Sequence, residues 1–293
     1  MDRVPTANGP RARALAAALR QARQERNMSI RELGRKLSFD QSNLSKIENC
    51  KKVPSVELTA RILGALGATP DECERILALA RRASEPNWLA VGIPGLPEQL
   101  AGAMESEREA KSIVVWSPMT LPGLLQITDF VRALAVANEL PKHEIERRVT
   151  VRIARREVLT GRDPVRLEAL ISEAALREPM ASPEVMTEQL RHLLTMADQP
   201  NITIRVIPLG VGWHPGSAGP FVLYEFADAP PFVHFEHYSS GAFVTNSDDI
   251  EAYRTAIRMI SRHALSPADS KRFIAQVIAD DWSASDQTTL AQK

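Results

Sequence analysis

The sequence predicts two regions of different fold class, an all-α bundle of five short helices followed by an α+β domain. Three observations predict it. Between Arg11 and Arg82 apolar residues recur at helical spacing, punctuated by helix-capping residues. From Ile202 the period changes to two, in short runs separated by Gly and Pro. Between the two patterns, over Glu85–Met104, stand Pro86, Gly92, Pro94, Gly95, Pro97 and Gly102, a linker composition that Trp88 and Leu89 interrupt.

A chain of 293 residues has room for two domains, and 44% hydrophobic with 25% charged residues is the composition of a globular protein. The formal charge of +0 hides an asymmetry. Met1–Arg61 holds 13 Lys/Arg against 6 Asp/Glu, a balance of +7 that leaves −7 for the rest. A basic head on an acidic body is the pattern of a nucleic-acid-binding module joined to a domain of other purpose. Cys50 and Cys73 make neither a disulfide framework nor a metal site, which points to a reducing cytoplasm. With no signal-peptide pattern and no long apolar run, no membrane partner is expected.

Residues 1–10, with Pro5, Asn8, Gly9 and Pro10, are expected to form a flexible tail. Leu15, Leu19 and Ala22 mark the inward stripe of the first helix. Ser29 caps the second, with Glu32 three residues on completing a capping box, and Ile30, Leu33, Gly34 and Leu37 facing inward. After Ser38–Gln41 a third helix is capped by Asp40 and anchored by Leu44 and Ile47. Ser55 caps a fourth through Leu58, Ile62, Leu63 and Leu66, and Asp71 and Glu72 open a fifth ending at Arg81 and Arg82. The domain boundaries expected are therefore 11–82, a linker over 83–104, and a second domain over 105–279, with 280–293 a polar tail.

In the second domain Glu105–Ser112 is expected as a short helix, and Ile113–Trp116 either extends it or forms a strand. Pro118–Gly123 is a turn, Leu124–Glu139 a helix and Pro141–Leu159 a charged helix with Arg147, Arg148, Arg152, Arg155 and Arg156. Another helix starts at Ser182 or Pro183. Strands follow at Ile202–Ile207, Phe221–Phe226, Phe232–Glu236 and Gly241–Val244, with a Gly/Pro loop at Leu209–Pro220. Helices then run from Asp248 or Asp249 to Ala264 and onward from Pro267.

With Leu44 and Ile47 turned inward, the third helix presents Gln41, Ser42, Asn43, Ser45 and Lys46 near its N-terminal half. Gln and Asn pair bidentately with adenine, Lys donates to guanine and Ser serves either, so this is a base-reading composition. Arg31 and Arg35 on the second helix, and Lys51 and Lys52 after the third, are placed for phosphates. The segment Met28–Ser55 closely resembles the helix-turn-helix of the XRE regulators, which include the phage repressors. Its most specific part is carried by Ser45, Lys46, Ile47, Glu48, Asn49, Pro54 and Ser55, with Ser42, Asn43 and Leu44 just before. The resemblance implies a lambda-repressor-like five-helix domain. It implies that Gln41, Ser42 and Lys46 read bases and that Arg23 and Glu48 pair between the first and third helices. The sequence departs from the pattern at two glycine positions, which here hold Ser38 and Cys50. A left-handed Cys50 costs about 1 kcal/mol more than Gly, and Asn49 is the alternative left-handed residue.

The remainder resembles the uncharacterised C-terminal domain that accompanies this helix-turn-helix in many actinobacterial, Streptomyces-type regulators. The matching segments include Leu121–Phe130, Arg152–Thr160, Ile171–Glu178, Asn201–Gly210, Gly219–Phe226 and Tyr253–Ser270. The resemblance implies regulators that sit beside genes for very small proteins, in an arrangement likened to antitoxin–toxin pairs. His234, Glu236 and His237 invite a metal, but on a strand His234 and Glu236 share one face and His237 takes the other, leaving two ligands. No metal, cofactor or catalytic residue is expected, and no nucleophile elbow, phosphate loop or HExxH motif occurs. Trp116, Leu124, Gln126, Trp213, His214, Tyr224 and Tyr238 are candidate pocket residues, with Leu209–Pro220 a lid. The expected protein is a cytoplasmic homodimer, associated with the nucleoid when bound to a palindromic operator in double-stranded DNA, and regulated by a small protein or small molecule. The alternative is an antitoxin-like protein that sequesters a small partner and autoregulates its operon.

Overall fold

A computed structural model of the chain describes residues 10–83, 88–91, 96–236 and 240–282. Residues 1–9 and 283–293 of the expected tails, with His237 and Tyr238, fall outside them, as do 84–87 and 92–95 of the expected linker; the side chains of 88–91 and 96–101 are likewise not described. Pro10 and 280–282, expected in the tails, are instead helical, and Trp282 is buried with its Nε1 donating to the Leu176 carbonyl at 3.1 Å. The architecture is an all-α N-terminal region followed by α+β structure. By packing it forms two compact units, Met1–Ala110 with Tyr224–Ile250, and Lys111–Leu223 with Glu251–Lys293.

The first unit opens with α1 (Pro10–Glu25), α2 (Ile30–Leu37), α3 (Gln41–Glu48), α4 (Val56–Leu66) and α5 (Pro70–Arg81). The capping chemistry sets these boundaries. Ser29 Oγ accepts from the Glu32 N–H while the Glu32 carboxylate accepts from the Ser29 N–H, a complete capping box. Asp40, Ser55 and Thr69 accept from the N–H groups of Asn43, Leu58 and Glu72. Gly67, at φ 69°, closes α4 in the left-handed region. Leu15, Leu19, Leu33, Leu44, Ile47, Ile62, Leu63 and Ile76 fill the space between the helices.

α1 is buried far beyond its predicted stripe. Every residue from Pro10 to Ala16 is buried, Arg11 and Arg13 included. The reason is α6 (Leu96–Glu109), which lies along α1 within this unit. The expected linker thus contains the strand β1 (Trp88–Val91) and the greater part of a helix. Of its Gly and Pro residues, Pro97 lies in the first turn of α6 and Gly102 inside that helix. Antiparallel strands β6 (Phe232–Glu236) and β7 (Ser240–Val244) complete the unit: β7 pairs with β1 at Trp88↔Phe243 and with β6 at Val233↔Val244. Phe232 lies against Tyr224, Phe226 and Phe243, with ring centroids 5.0, 5.5 and 5.3 Å apart.

The second unit is built on parallel strands β2 (Ser112–Ser117), β3 (Arg166–Ser172) and β4 (Ile202–Ile207). Ile113–Trp116 is therefore strand, not helix. α7 (Thr128–Ala137) and α8 (Lys142–Thr160) connect β2 to β3, and α9 (Glu173–Arg177) and α10 (Pro183–Met196) connect β3 to β4, crossovers of the kind parallel pairing requires. The helix expected over Leu124–Glu139 is split: Gly123–Leu125 forms a 3-10 turn and α7 begins only at Thr128. Gln189 of α10 fixes that break, accepting from the Ile127 N–H at 2.8 Å and donating to the Leu125 carbonyl at 2.9 Å. β3 carries no period-two pattern because Ala169, Leu170 and Ile171 are all buried, as in a strand covered on both faces. β5 (Phe221–Glu225) straddles the division, which falls after Leu223. From α11 (Ser247–His263) the carbonyls of Ser261 and Ala264 accept from Arg205, which suits the negative end of the helix dipole. α12 (Pro267–Val277) docks on β4, where Ser270 Oγ accepts from the Val206 N–H at 2.9 Å.

Both glycine-type positions are left-handed: Ser38 has φ 49° and Cys50 φ 54°, whereas Asn49 stays at φ −97°. The two differ in surroundings. Ser38 is exposed, while Cys50 is 2% exposed against Ala12, Ala16 and Val53. Ser38→Gly is therefore expected to raise stability by about 1 kcal/mol through relief of the left-handed strain. Cys50→Gly gains the same relief but loses roughly 1 kcal/mol of buried side chain, so its net effect is close to zero. Urea denaturation of the two variants beside the parent chain checks the contrast.

Candidate nucleic-acid interface

α3 is only eight residues long, and its faces are sharply divided. Leu44 and Ile47, each 1% exposed, seat it in the bundle, while Gln41, Ser42 and Lys46 are exposed. Asn43 and Ser45 are half-buried and engaged within the protein. Asn43 Oδ1 accepts from Lys52 Nζ at 3.4 Å, and Ser45 Oγ accepts from Asn49 Nδ2 at 3.2 Å. The five polar side chains are therefore not equivalent: three stand on the open face and two are tied to the loop that follows.

Behind this face lies a buried ion pair. Arg23 Nε and Nη2 donate to Glu48 Oε1 and Oε2, both at 2.7 Å, and Arg23 Nη1 donates to the Met28 carbonyl at 2.7 Å. Side-chain exposures of 12% and 6% take both charges largely out of water. The fork geometry satisfies both carboxylate oxygens and fixes the rotation of α3 against α1. The hydrogen bond that Arg23 donates to Glu48 raises the Arg23 pKa, against the lowering effect of burial.

The basic excess of the head splits into two populations. Arg31, Arg35, Lys51 and Lys52 are exposed on α2 and the loop after α3. The arginines of α1 face inward: Arg11 caps the Arg82 carbonyl at 3.0 Å, Arg13 pairs with Glu109, and Arg20 with Glu105 at 2.7 Å. Arg26, just past α1, pairs with Glu72 at 2.7 Å. Sequence reasoning missed this second population. The signal for it was in α1 itself, where Ala12, Ala14, Leu15, Ala16, Ala17, Ala18, Leu19 and Ala22 run round the whole circumference, the mark of a helix buried on every side.

Comparison with known families accounts for both regions. Residues 14–76 match a helix-turn-helix domain model, and residues 100–276 match the domain of unknown function DUF5753. The latter spans more than half of the chain. The chain belongs to the DUF5753 family. Its N-terminal region is an XRE-like helix-turn-helix, a non-enzymatic DNA-binding type, which makes a DNA-binding regulator the coarse assignment. No curated protein matches the chain. No helix among the described residues is long and apolar enough to cross a membrane.

The candidate pocket residues that are described differ in exposure and in partners. Trp116 is 2% exposed and donates from Nε1 to the Gly216 carbonyl at 2.9 Å. Gly216 fills the space beside that ring so closely that an added Cβ would stand 2.7 Å from it. His214 lies edge-on to Trp116 at 5.4 Å and accepts from the Gly216 N–H at Nδ1, which fixes its tautomer. Burial lowers its pKa, with His263 adding to the shift. Leu124 and Gln126 are buried, and Gln126 Nε2 donates to the Leu121 carbonyl at 2.8 Å. Trp213 is 76% exposed and Tyr224 is packed on Phe232. Within Leu209–Pro220, His214 and Gly216 are buried against Trp116, while Leu209 and Trp213 are exposed. His234 is buried and stacked 4.4 Å from Phe243, while Glu236 is exposed. Among the described residues no three His, Cys, Asp or Glu side chains are grouped to hold a metal ion.

Glu48→Gln leaves Arg23 buried beside a neutral amide, and the expected loss of stability is about 3 kcal/mol. Chemical denaturation measures it. The Arg26 hydrogen bond holds Glu72 below the usual carboxylate range, against an opposing effect of burial. Because the folded value is the lower one, this contribution is complete above the unfolded value near pKa ~4.3 and disappears as pH falls through the folded value. Stability measured from pH 7 down to pH 3 should therefore fall less steeply in Glu72→Gln than in the parent chain.

Proposed function

We propose that this protein regulates transcription by sequence-specific DNA binding, with Gln41, Ser42 and Lys46 reading base edges in the major groove. One observation carries the reading: these three side chains are exposed on a two-turn helix whose rotation is set by the Arg23–Glu48 pair. Exposed Arg31, Arg35, Lys51 and Lys52 flank that helix and take phosphates. Asn43 and Ser45 act one step back, through Lys52 and Asn49. A single recognition helix of this length covers too few base pairs for high specificity, which supports a cytoplasmic homodimer on a palindromic operator, nucleoid-associated when bound. The DUF5753 region receives the regulating signal. The exposed indole of Trp213, with Leu209 59% exposed in the same loop, favours a small protein as that signal over a small molecule. The antitoxin-like reading, in which sequestering the small partner is the main duty, differs in stoichiometry: a small protein recovered one-to-one from the native host supports it, and DNA-competent protein recovered alone argues against it.

Selection from random duplexes tests the central claim. The full chain should enrich a sequence with two-fold symmetry. Gln41→Ala should alter the preferred bases, whereas Lys51→Ala should weaken binding to all sequences alike and reduce the slope of log K against log salt by about 1. Failure of a folded, dimeric chain to enrich any sequence defeats the proposal.

A further inference from the structure

Arg20 occupies an unusual position between the DNA-reading helix and the segment that follows the bundle. Its Nη2 donates to the main-chain carbonyl of Glu48, the last residue of α3, at 2.7 Å. The same nitrogen donates to Glu105 Oε1 of α6, also at 2.7 Å. Glu105 is 7% exposed, so its charge is committed to this contact and to Arg108 beside it at 3.7 Å. Arg20 Nε is buried with no hydrogen-bond partner among the described residues, which leaves Nη2 as the atom that ties its guanidinium to both α3 and α6. Glu48 is thus gripped twice, by Arg23 through its carboxylate and by Arg20 through its carbonyl.

The two grips act on different features of α3. The Arg23 fork sets the rotation of the helix. Arg20 binds a carbonyl at the negative end of the helix dipole, where a cation is favoured, and so restrains the C-terminal turn along the helix axis. A guanidinium bound only to a neutral carbonyl and half removed from water is poorly compensated; the Glu105 carboxylate is what makes this position tenable for Arg20. The remainder of the α1–α6 contact repeats the theme with Arg13 and Glu109, and Arg13 also lies 4.2 Å over the Phe226 ring. α6 therefore meets α1 through charges with defined partners, an arrangement that has one register and resists sliding.

We propose that Glu105 of α6 is a positioning residue for the recognition helix, acting through Arg20, and that α6 transmits changes in its own placement to DNA affinity. The inference rests on the assignment of α3 as the DNA-reading helix only for its last step; the positioning itself is a property of the free protein. It gives a helix whose N-terminal part reads as a linker a role in recognition that its sequence does not advertise.

The test compares the full chain with Glu105→Gln and the milder Glu105→Asp, and pairs Glu105→Gln with Arg20→Lys in a double-mutant cycle. Amide hydrogen exchange is measured without DNA, and affinity is measured on a duplex recovered by selection with the parent chain. Glu105→Gln is expected to speed exchange over Leu44–Cys50 while α4 and α5 keep the parent's protection, and to weaken DNA binding about tenfold. Glu105→Asp is expected to recover part of both effects. The Arg20→Lys, Glu105→Gln double variant should bind no worse than the poorer single variant. If exchange at α3 is unchanged in Glu105→Gln, or rises equally in all five bundle helices, the proposal is wrong. If Glu105→Gln does not fold, Glu105→Asp decides by the same exchange criterion. If the parent chain selects no DNA while exchange at α3 responds as stated, the positioning stands and the DNA-reading assignment falls, so the two failures are distinguishable.

Discussion

A buried arginine constrains everything around it, because an uncompensated guanidinium out of water costs several kcal/mol. α1 carries four such constraints along one helix. Arg11, Arg13, Arg20 and Arg23 point into contacts with α5, α6 and α3, and each has an oxygen waiting for it: the Arg82 carbonyl, Glu109, Glu105 and Glu48. Apolar packing alone leaves short helices free to rotate and slide, since Leu and Ala are tolerant neighbours. The arginines remove that freedom. Where α3 and α6 lie against α1 is decided by which carboxylate meets which guanidinium, and the leucine core fills in around that decision.

This arrangement changes what the basic head means. A balance of +7 over the first 61 residues suggests a broad cationic surface. Much of that charge is engaged in internal pairs and in a carbonyl cap. Among the described residues of that stretch, the exposed cations stand on α2, on α3 and on the loop after it, with Arg61 on α4 besides. The field is thus weaker than composition implies but better aimed, and orientation rather than total charge is what register on a duplex requires.

Much of the bundle was legible because helix boundaries are local events. Ser29 with Glu32, Asp40 and Ser55 act on backbone groups two or three residues away, and the stripe of Leu33, Leu37, Leu44 and Ile47 follows from helical period alone. The resemblance carried by Ser45–Ser55 extended that reading to the Arg23–Glu48 pair, whose members are 25 residues apart. What stayed hidden depended on partners remote in sequence. Pro97 and Gly102 lie within α6, and composition cannot distinguish an ordered terminus from a loose link. β3 shows no alternation because both its faces are covered. The aromatic residues Trp116, Trp213, His214 and Tyr224 suggested one pocket, but successive residues on an extended segment point oppositely: His214 turns in to Trp116 while Trp213 turns out.

The two left-handed residues carry the same lesson to the level of a single dihedral angle. Ser38 and Cys50 flank α3, and both turns close with the geometry that glycine adopts at no steric cost. Without glycine, each turn has fewer accessible conformations in the unfolded chain and a strained one in the folded chain, so the flanks of α3 are stiff but strained. At Cys50 burial offsets part of the strain: the thiol fills space against Ala12 and Ala16 of α1, and burial lifts its pKa to about 12, which keeps it a neutral, unreactive filler. At Ser38 nothing packs in return. Gly34 lets that turn close: its missing Cβ admits the Phe39 carbonyl, which a side chain would meet at 2.9 Å, and the Phe39 N–H donates to the Gly34 carbonyl. The turn that leads into α3 therefore depends on the glycine at 34, while Ser38 and Cys50 take left-handed conformations without one.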